Sequence, residues 1–159
     1  MALTIKYQKA FDRIKETICG GNVWRFLLSE VVYEIKNAFP KYSWVGIYLL
    51  KDDTLYLETF LGKPTEHTKI KKSEGICGAA IREEKTLLVG DVNKDDRYIS
   101  CDIGVKSEIV VPIRHNENMI GVIDIDSNQK SAFLEQDQEL LERIASLLAS
   151  SCPKITSSH

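Results

Sequence analysis

No run of apolar residues approaches the roughly 20 that a helix needs to cross a bilayer, so these 159 residues are not expected to form a membrane protein. Met1 to Cys19 alternates charged with apolar residues and lacks the apolar block of a secretion signal. A cytoplasmic location is the expectation. Histidine is scarce, at three, and the four cysteines (Cys19, Cys77, Cys101 and Cys152) form no C-x-x-C pair and no zinc-type spacing. Neither a metal nor a cofactor is expected, and in a reducing compartment neither is a permanent disulfide framework. An excess of positive charge is missing too. With 21 Lys+Arg against 23 Asp+Glu the formal net charge is −2, which argues against nucleic acid as a partner because phosphate binding needs a basic footprint. There is no internal repeat, and low complexity is confined to a short polar tail after Cys152.

What is present suits one domain over residues 1–159, with 43% hydrophobic and 28% charged residues. Ile5, Phe11, Ile14 and Ile18 recur at helical spacing. Gly20, Gly21 and Asn22 stop that helix, and Asn22 is positioned to cap the next. The second helix, about Val23 to Ala38, carries Phe26, Leu27, Val31, Tyr33 and Ile35 and ends before Pro40. The two together give an N-terminal helical segment over about 5–38. Trp44 to Leu50 and Leu55 to Leu61 read as strands of a hairpin joined by Lys51 to Thr54. A short helix over Gly75 to Glu84 and a strand over Thr86 to Val89 follow. Gly90 to Lys106 is a polar connection with no regular pattern, of a length usually reserved for function or disorder. A second hairpin pairs Glu108 to Arg114 with Met119 to Ser127, and a C-terminal helix covers about 134–150. The fold class implied is α+β: a mainly antiparallel sheet over about 43–127, terminal helices on one face, and a loop-covered ligand pocket on the other.

Strand parity then selects the chemistry, because successive side chains point to opposite faces. Val122, Asp124 and Asp126 share one face, while Gly121, Ile123 and Ile125 share the other. The isoleucines suit a helix-packed core, so both aspartates point to the loop-covered side, where Glu108 at the start of the neighbouring strand lies close. Such carboxylates are costly to bury without partners; the plainer reading, a solvated sheet face, is weakened by a strand otherwise so apolar. The same rule separates Trp44, Gly46 and Tyr48 from Val45, Ile47 and Leu49. The aromatic pair, with Gly46 leaving room between the rings, could wall a small-molecule site or simply pack. Free cysteine packs as a small hydrophobe, yet Cys77 and Cys101 stand outside apolar stripes. Cys77 opens a helix, where the dipole and free N–H groups lower a thiol pKa. Cys101 lies in the long connection, seven residues before Glu108. Cys19 and Cys152, at helix ends, read as structural or incidental.

In order along the chain come Trp44-Val-Gly-Ile-Tyr48, Gly75-Ile-Cys-Gly78, Ile99-Ser-Cys-Asp102, Ser107-Glu-Ile-Val-Val-Pro-Ile113 and Gly121-Val-Ile-Asp-Ile-Asp-Ser127. In this combination the sequence resembles the free methionine-R-sulfoxide reductase family, a stand-alone GAF domain. The resemblance implies an oxidoreductase in which Cys101 attacks the sulfoxide sulfur, releases methionine and becomes a sulfenic acid. It implies that Glu108, Asp124 and Asp126 bind the substrate ammonium and supply protons, and that Trp44 and Tyr48 wall the methyl-sulfinyl group. Cys77 matches the second family cysteine, and the implied reductant is thioredoxin or a similar dithiol acting on a disulfide. A homodimer stays open as a further association. Two departures stand out: His67 occupies the place of a third family cysteine, and Asp96-Arg97-Tyr98 replaces a Pro-Gly-His string. The rival readings are a non-catalytic, small-ligand-sensing GAF module, a covalent chromophore domain and a purely structural partner protein. The first normally needs an output domain, which is not expected here. The second lacks its histidine pattern, and the third has no need of carboxylates beside a cysteine.

Overall fold

The computed structural model describes residues 1–100 and 103–153. Two helices open the chain, α1 (Ile5–Cys19) and α2 (Trp24–Ala38). They form because Ile14 and Ile18 of α1, and Leu27, Leu28, Val31, Val32 and Ile35 of α2, repeat at three- and four-residue spacing and are all buried. Pro40 ends α2, since its ring disfavours helical backbone at the residue before it, and Phe39 is accordingly extended. The start of α2 corrects an expectation. Asn22 does not cap it: its side-chain oxygen accepts from the adjacent Val23 N–H at 2.9 Å and its amide donates to Glu30 at 2.9 Å. Phe26 and Tyr33 also lie off the buried stripe and are exposed.

Six strands follow, β1 (Trp44–Lys51), β2 (Thr54–Leu61), β3 (Lys69–Lys71), β4 (Leu87–Val89), β5 (Ser107–His115) and β6 (Asn118–Ser127). They form one antiparallel sheet in the order β3-β2-β1-β6-β5-β4. Helix α3 (Gly75–Glu83) lies between β3 and β4 in the chain, and α4 (Glu135–Ser151) closes it. Strand β3 is absent from the sequence reading because three residues with one buried side chain, Ile70, carry no detectable alternation. The connection read as patternless holds a 3₁₀ turn at Val92–Lys94, where the Asp91 side chain accepts from the Asn93 N–H at 3.1 Å. It is also tied down: Arg97 grips Asp95 through Nε (2.9 Å) and Nη2 (2.7 Å) and reaches Glu83, the last residue of α3, at 3.0 Å.

The sheet separates two cores. Val45, Ile47, Ile109, Val111, Ile113, Ile123 and Ile125 pack against α1, α2 and α4, as the parity argument expects. Trp44, Tyr48, Val110 and Val122 face the other way, toward Ile76, Cys77, Ala79, Ala80 and Ile81 of α3. A polar knot fastens the helical layer. Asp137, in the first turn of α4 and fully buried, accepts from Lys41 Nζ (2.6 Å), Tyr7 OH (3.2 Å), Tyr42 OH and the Leu134 N–H (2.7 Å). It joins α1, the link from α2 to β1, and the start of α4, two residues from the point where Trp44 enters the sheet. Among the described residues, no helix is long and apolar enough to cross a membrane.

Candidate active site

Register places the acidic residues in the middle of the sheet. Asp126 of β6 stands between Trp44 of β1 and Glu108 of β5, and Asp124, two residues back on the same face, stands between Gly46 and Val110. Glu108, Asp124 and Asp126 are only 5–6% exposed, so the solvated-face reading fails. Helix α3 carries Cys77 over this row. The Cys77 sulfur and one carboxylate oxygen each of Glu108 and Asp124 lie within 4.8 Å of one another. Asp124 therefore lies directly against both the Cys77 thiol and the Glu108 carboxyl. Burial pushes Asp124 above its ordinary value, while the neighbouring Glu108 carboxyl and Cys77 thiol act against that rise. Its Oδ1 is buried without a hydrogen-bond partner among the described residues. Such donors could also hold a divalent ion, but a thiol that keeps its proton is a poor ligand for one.

The expected activation of Cys77 by its helix is overturned. Burial, and then the carboxylates of Asp124 and Glu108, push this thiol well above its ordinary value near 9.0, because desolvation and adjacent negative charge both oppose a thiolate. The helix opening is legible from sequence; the carboxylates brought against it by β5 and β6 are not. Two outcomes follow. A neutral Cys77 contributes stability that is complete below the ordinary thiol pKa and is lost as pH rises above it, since the unfolded thiol then releases its proton first. At pH 8, iodoacetamide with peptide mass mapping is expected to label exposed Cys19 readily and Cys77 only after denaturation. Equal labelling of the two in the folded protein would contradict this burial.

Trp44 and Tyr48 lie side by side on one face of β1, with ring centroids 6.4 Å apart. Gly46 is what allows it: a Cβ there would fall 2.3 Å from the Trp44 ring, which lies across it. Both aromatics are held by a segment to which the sequence reading gave no role. The Trp44 indole donates to the Lys63 carbonyl at 3.0 Å, and the Tyr48 hydroxyl to the His67 carbonyl at 2.8 Å. Lys63, Pro64 and Thr65 join Ser43, Trp44, Tyr48, Val105, Asp124, Asp126 and Asn128 around a cavity of about 90 Å³. A smaller one, of about 30 Å³, lies on the Cys77 side of Tyr48 and Asp124, bounded also by His67, Tyr98, Ile99 and Glu108. The spacing of Lys63 to Thr65 follows no strand or helix period, so nothing in the sequence marks them as lining residues. Cys101 lies outside the described residues. Just before it, the Ser100 carbonyl is 3.2 Å from His67 Nε2. Cys19 ends α1 and Cys152 follows α4.

The GAF domain family matches residues 26–152. GAF domain-containing protein A of Dictyostelium discoideum is 38% identical over 144 residues, covering 90% of each chain. The free methionine-R-sulfoxide reductase of Saccharomyces cerevisiae is 41% identical over 128 residues, 78% of this chain and 71% of its own. The structure of free methionine-R-sulfoxide reductase from Neisseria meningitidis in complex with its substrate superposes with a TM-score of 0.87 at 32% identity, over 95% of this chain and 92% of its own. With the GAF fold thus shared along most of its length, the chain belongs to the free methionine-R-sulfoxide reductase family.

Proposed function

We propose that the protein reduces free methionine-(R)-S-oxide to methionine. The observation that carries this reading is the buried group of Glu108, Asp124 and Asp126 beside an aromatic wall: it combines charge for an ammonium, a proton for an oxygen and an apolar surface for a methyl-sulfinyl group. Trp44 and Tyr48 flank the sulfur substituents, and the carboxylates receive the α-ammonium. The Cys101 thiol, the nucleophile by family resemblance, attacks the sulfoxide sulfur. A carboxyl kept protonated by burial donates to the oxygen, a poor leaving group until protonated. Oxygen passes to the thiol, so that thiol and sulfoxide become sulfenic acid and thioether, and methionine leaves. Cys77 then attacks the sulfenic acid sulfur, forming a disulfide, while Asp124, beside that thiol, takes its proton and passes it to the departing hydroxyl, which leaves as water. Thioredoxin or a similar dithiol reduces the disulfide.

The test is a thioredoxin system coupled to NADPH oxidation, run on the R and S epimers of free methionine sulfoxide. Turnover of the R epimer alone is expected, and no methionine from either epimer would refute the proposal. In the Cys77→Ser variant one equivalent of methionine per protein is expected in a burst, with thioredoxin-driven turnover lost and dithiothreitol-driven turnover retained. Normal cycling of that variant with thioredoxin would remove Cys77 from the recycling step.

A further inference from the structure

Resting on the reductase reading, we infer that His67 is a positioning residue for the nucleophile: its ring holds the peptide unit that leads into Cys101. The His67 Nε2 is 3.2 Å from the Ser100 carbonyl oxygen. A carbonyl can only accept, so Nε2 carries the proton and donates. The carbonyl carbon of Ser100 is bonded to the Cys101 nitrogen, and a peptide unit is planar. The hydrogen bond therefore orients the plane from which the next residue starts.

The imidazole can serve as an anchor because its own backbone is fixed. The His67 N–H donates to Thr65 Oγ1 at 3.0 Å, and its carbonyl accepts the Tyr48 hydroxyl at 2.8 Å. One residue on, the Thr68 carbonyl accepts the Leu57 N–H of β2 at 2.9 Å, tying the stretch to the sheet. The chain that His67 grips is equally prepared as it approaches. Arg97 clamps Asp95, and the Tyr98 N–H donates to the Asp95 carbonyl at 3.1 Å. Ile99 packs so closely on the start of α3 that a Cβ at Gly75 would fall 2.9 Å from its Cδ1. At Ser100 the restraint passes to His67, whose backbone holds Tyr48 and whose ring holds Ser100. The ring that flanks the sulfoxide and the chain that carries the thiol thus share one support. Attack on sulfur needs a near-attack geometry, in which a displacement of about 1 Å can cost on the order of 10²-fold in rate. A single hydrogen bond at a partly exposed position accounts for a fraction of that.

The experiment follows the first turnover, without reductant, in wild type, His67→Phe and His67→Gln. It reads methionine released against the concentration of free methionine-R-sulfoxide, with melting curves confirming that each variant is folded. Phenylalanine keeps a ring and loses the N–H, whereas glutamine loses the ring and keeps an N–H donor at comparable reach. For His67→Phe the saturating burst rate is expected to fall about tenfold. The half-saturating substrate concentration should hardly change, because the ring holds the chain of the thiol and not the substrate. His67→Gln should stay within about threefold of wild type on both measures. A wild-type burst rate in His67→Phe would overturn the inference. So would a His67→Gln as slow as His67→Phe, which would mean that the ring packs and does not donate. A loss carried only by the half-saturating concentration would overturn it too, by placing His67 against the substrate. Each of these results leaves the reductase reading standing, since the wild type still releases methionine; a wild type that releases none overturns that reading and this inference together.

Discussion

Replacing Cys101 with serine is expected to abolish methionine formation, lowering kcat by a factor on the order of 10³ or more, as removal of a catalytic nucleophile does. A hydroxyl is a far weaker nucleophile toward sulfoxide sulfur than a thiolate, and serine has no sulfur to carry the oxygen away. The expectation rests on the Ile99-Ser-Cys-Asp102 motif and on where the chain is just before it. Ile99 lines the small cavity with Cys77, Glu108 and Asp124, and the Ser100 carbonyl is 3.2 Å from His67 Nε2. Mass spectrometry after one equivalent of substrate, without reductant, should locate the oxidation of the wild-type protein at Cys101. Full activity of Cys101→Ser would exclude it as nucleophile.

The largest effect on stability is expected far from the cysteines, at Asp137. Removing its carboxylate by Asp137→Ala takes the counter-charge from the Lys41 ammonium, leaving it the Ala132 carbonyl and the Tyr7 hydroxyl, and takes the acceptor from two tyrosine hydroxyls and the Leu134 N–H. Burial, the larger cause of the raised pKa of both tyrosines, persists without the carboxylate, so neither can replace the lost anion near neutral pH. Breaking one partner out of a buried ion pair costs about 3–5 kcal/mol, which for a chain of this size lowers the melting temperature on the order of 10 °C. A calorimetric shift under 2 °C would show that the knot contributes little. Because Tyr42 leads directly to Ser43 and Trp44, a raised KM is expected to accompany the loss.

The sequence discloses the parts of the site that lie on long, regular strands. β1 and β6 span 8 and 10 residues, enough for alternation to assign Trp44, Tyr48, Asp124 and Asp126 to one face and the isoleucines to the other. Glu108 could be placed beside them because it begins the partner strand. What lies on short or irregular backbone could not be read. Strand β3 is too brief to show a period. The segment holding Lys63 and His67 contacts the aromatic wall through its carbonyls, which no side-chain pattern reports. Asn22 has the chemistry of a cap but spends it on its neighbour and on Glu30. The misjudged Cys77 thiol shows the same limit: the helix start is local and visible, whereas the carboxylates that oppose ionisation arrive from strands distant in the chain.

The central claim is that the buried carboxylates beneath Trp44 and Tyr48 recognise the free ammonium of the substrate. It is tested most directly by comparing kcat/KM for methionine-R-sulfoxide with that for its N-acetyl derivative, which keeps the sulfoxide and the carboxylate and replaces the ammonium by a neutral amide. One charged contact at a buried site is worth roughly 1.5–3 kcal/mol, so the free amino acid is expected to be favoured at least ten- to hundredfold. Comparable values for the two compounds would contradict the claim and reassign Glu108, Asp124 and Asp126.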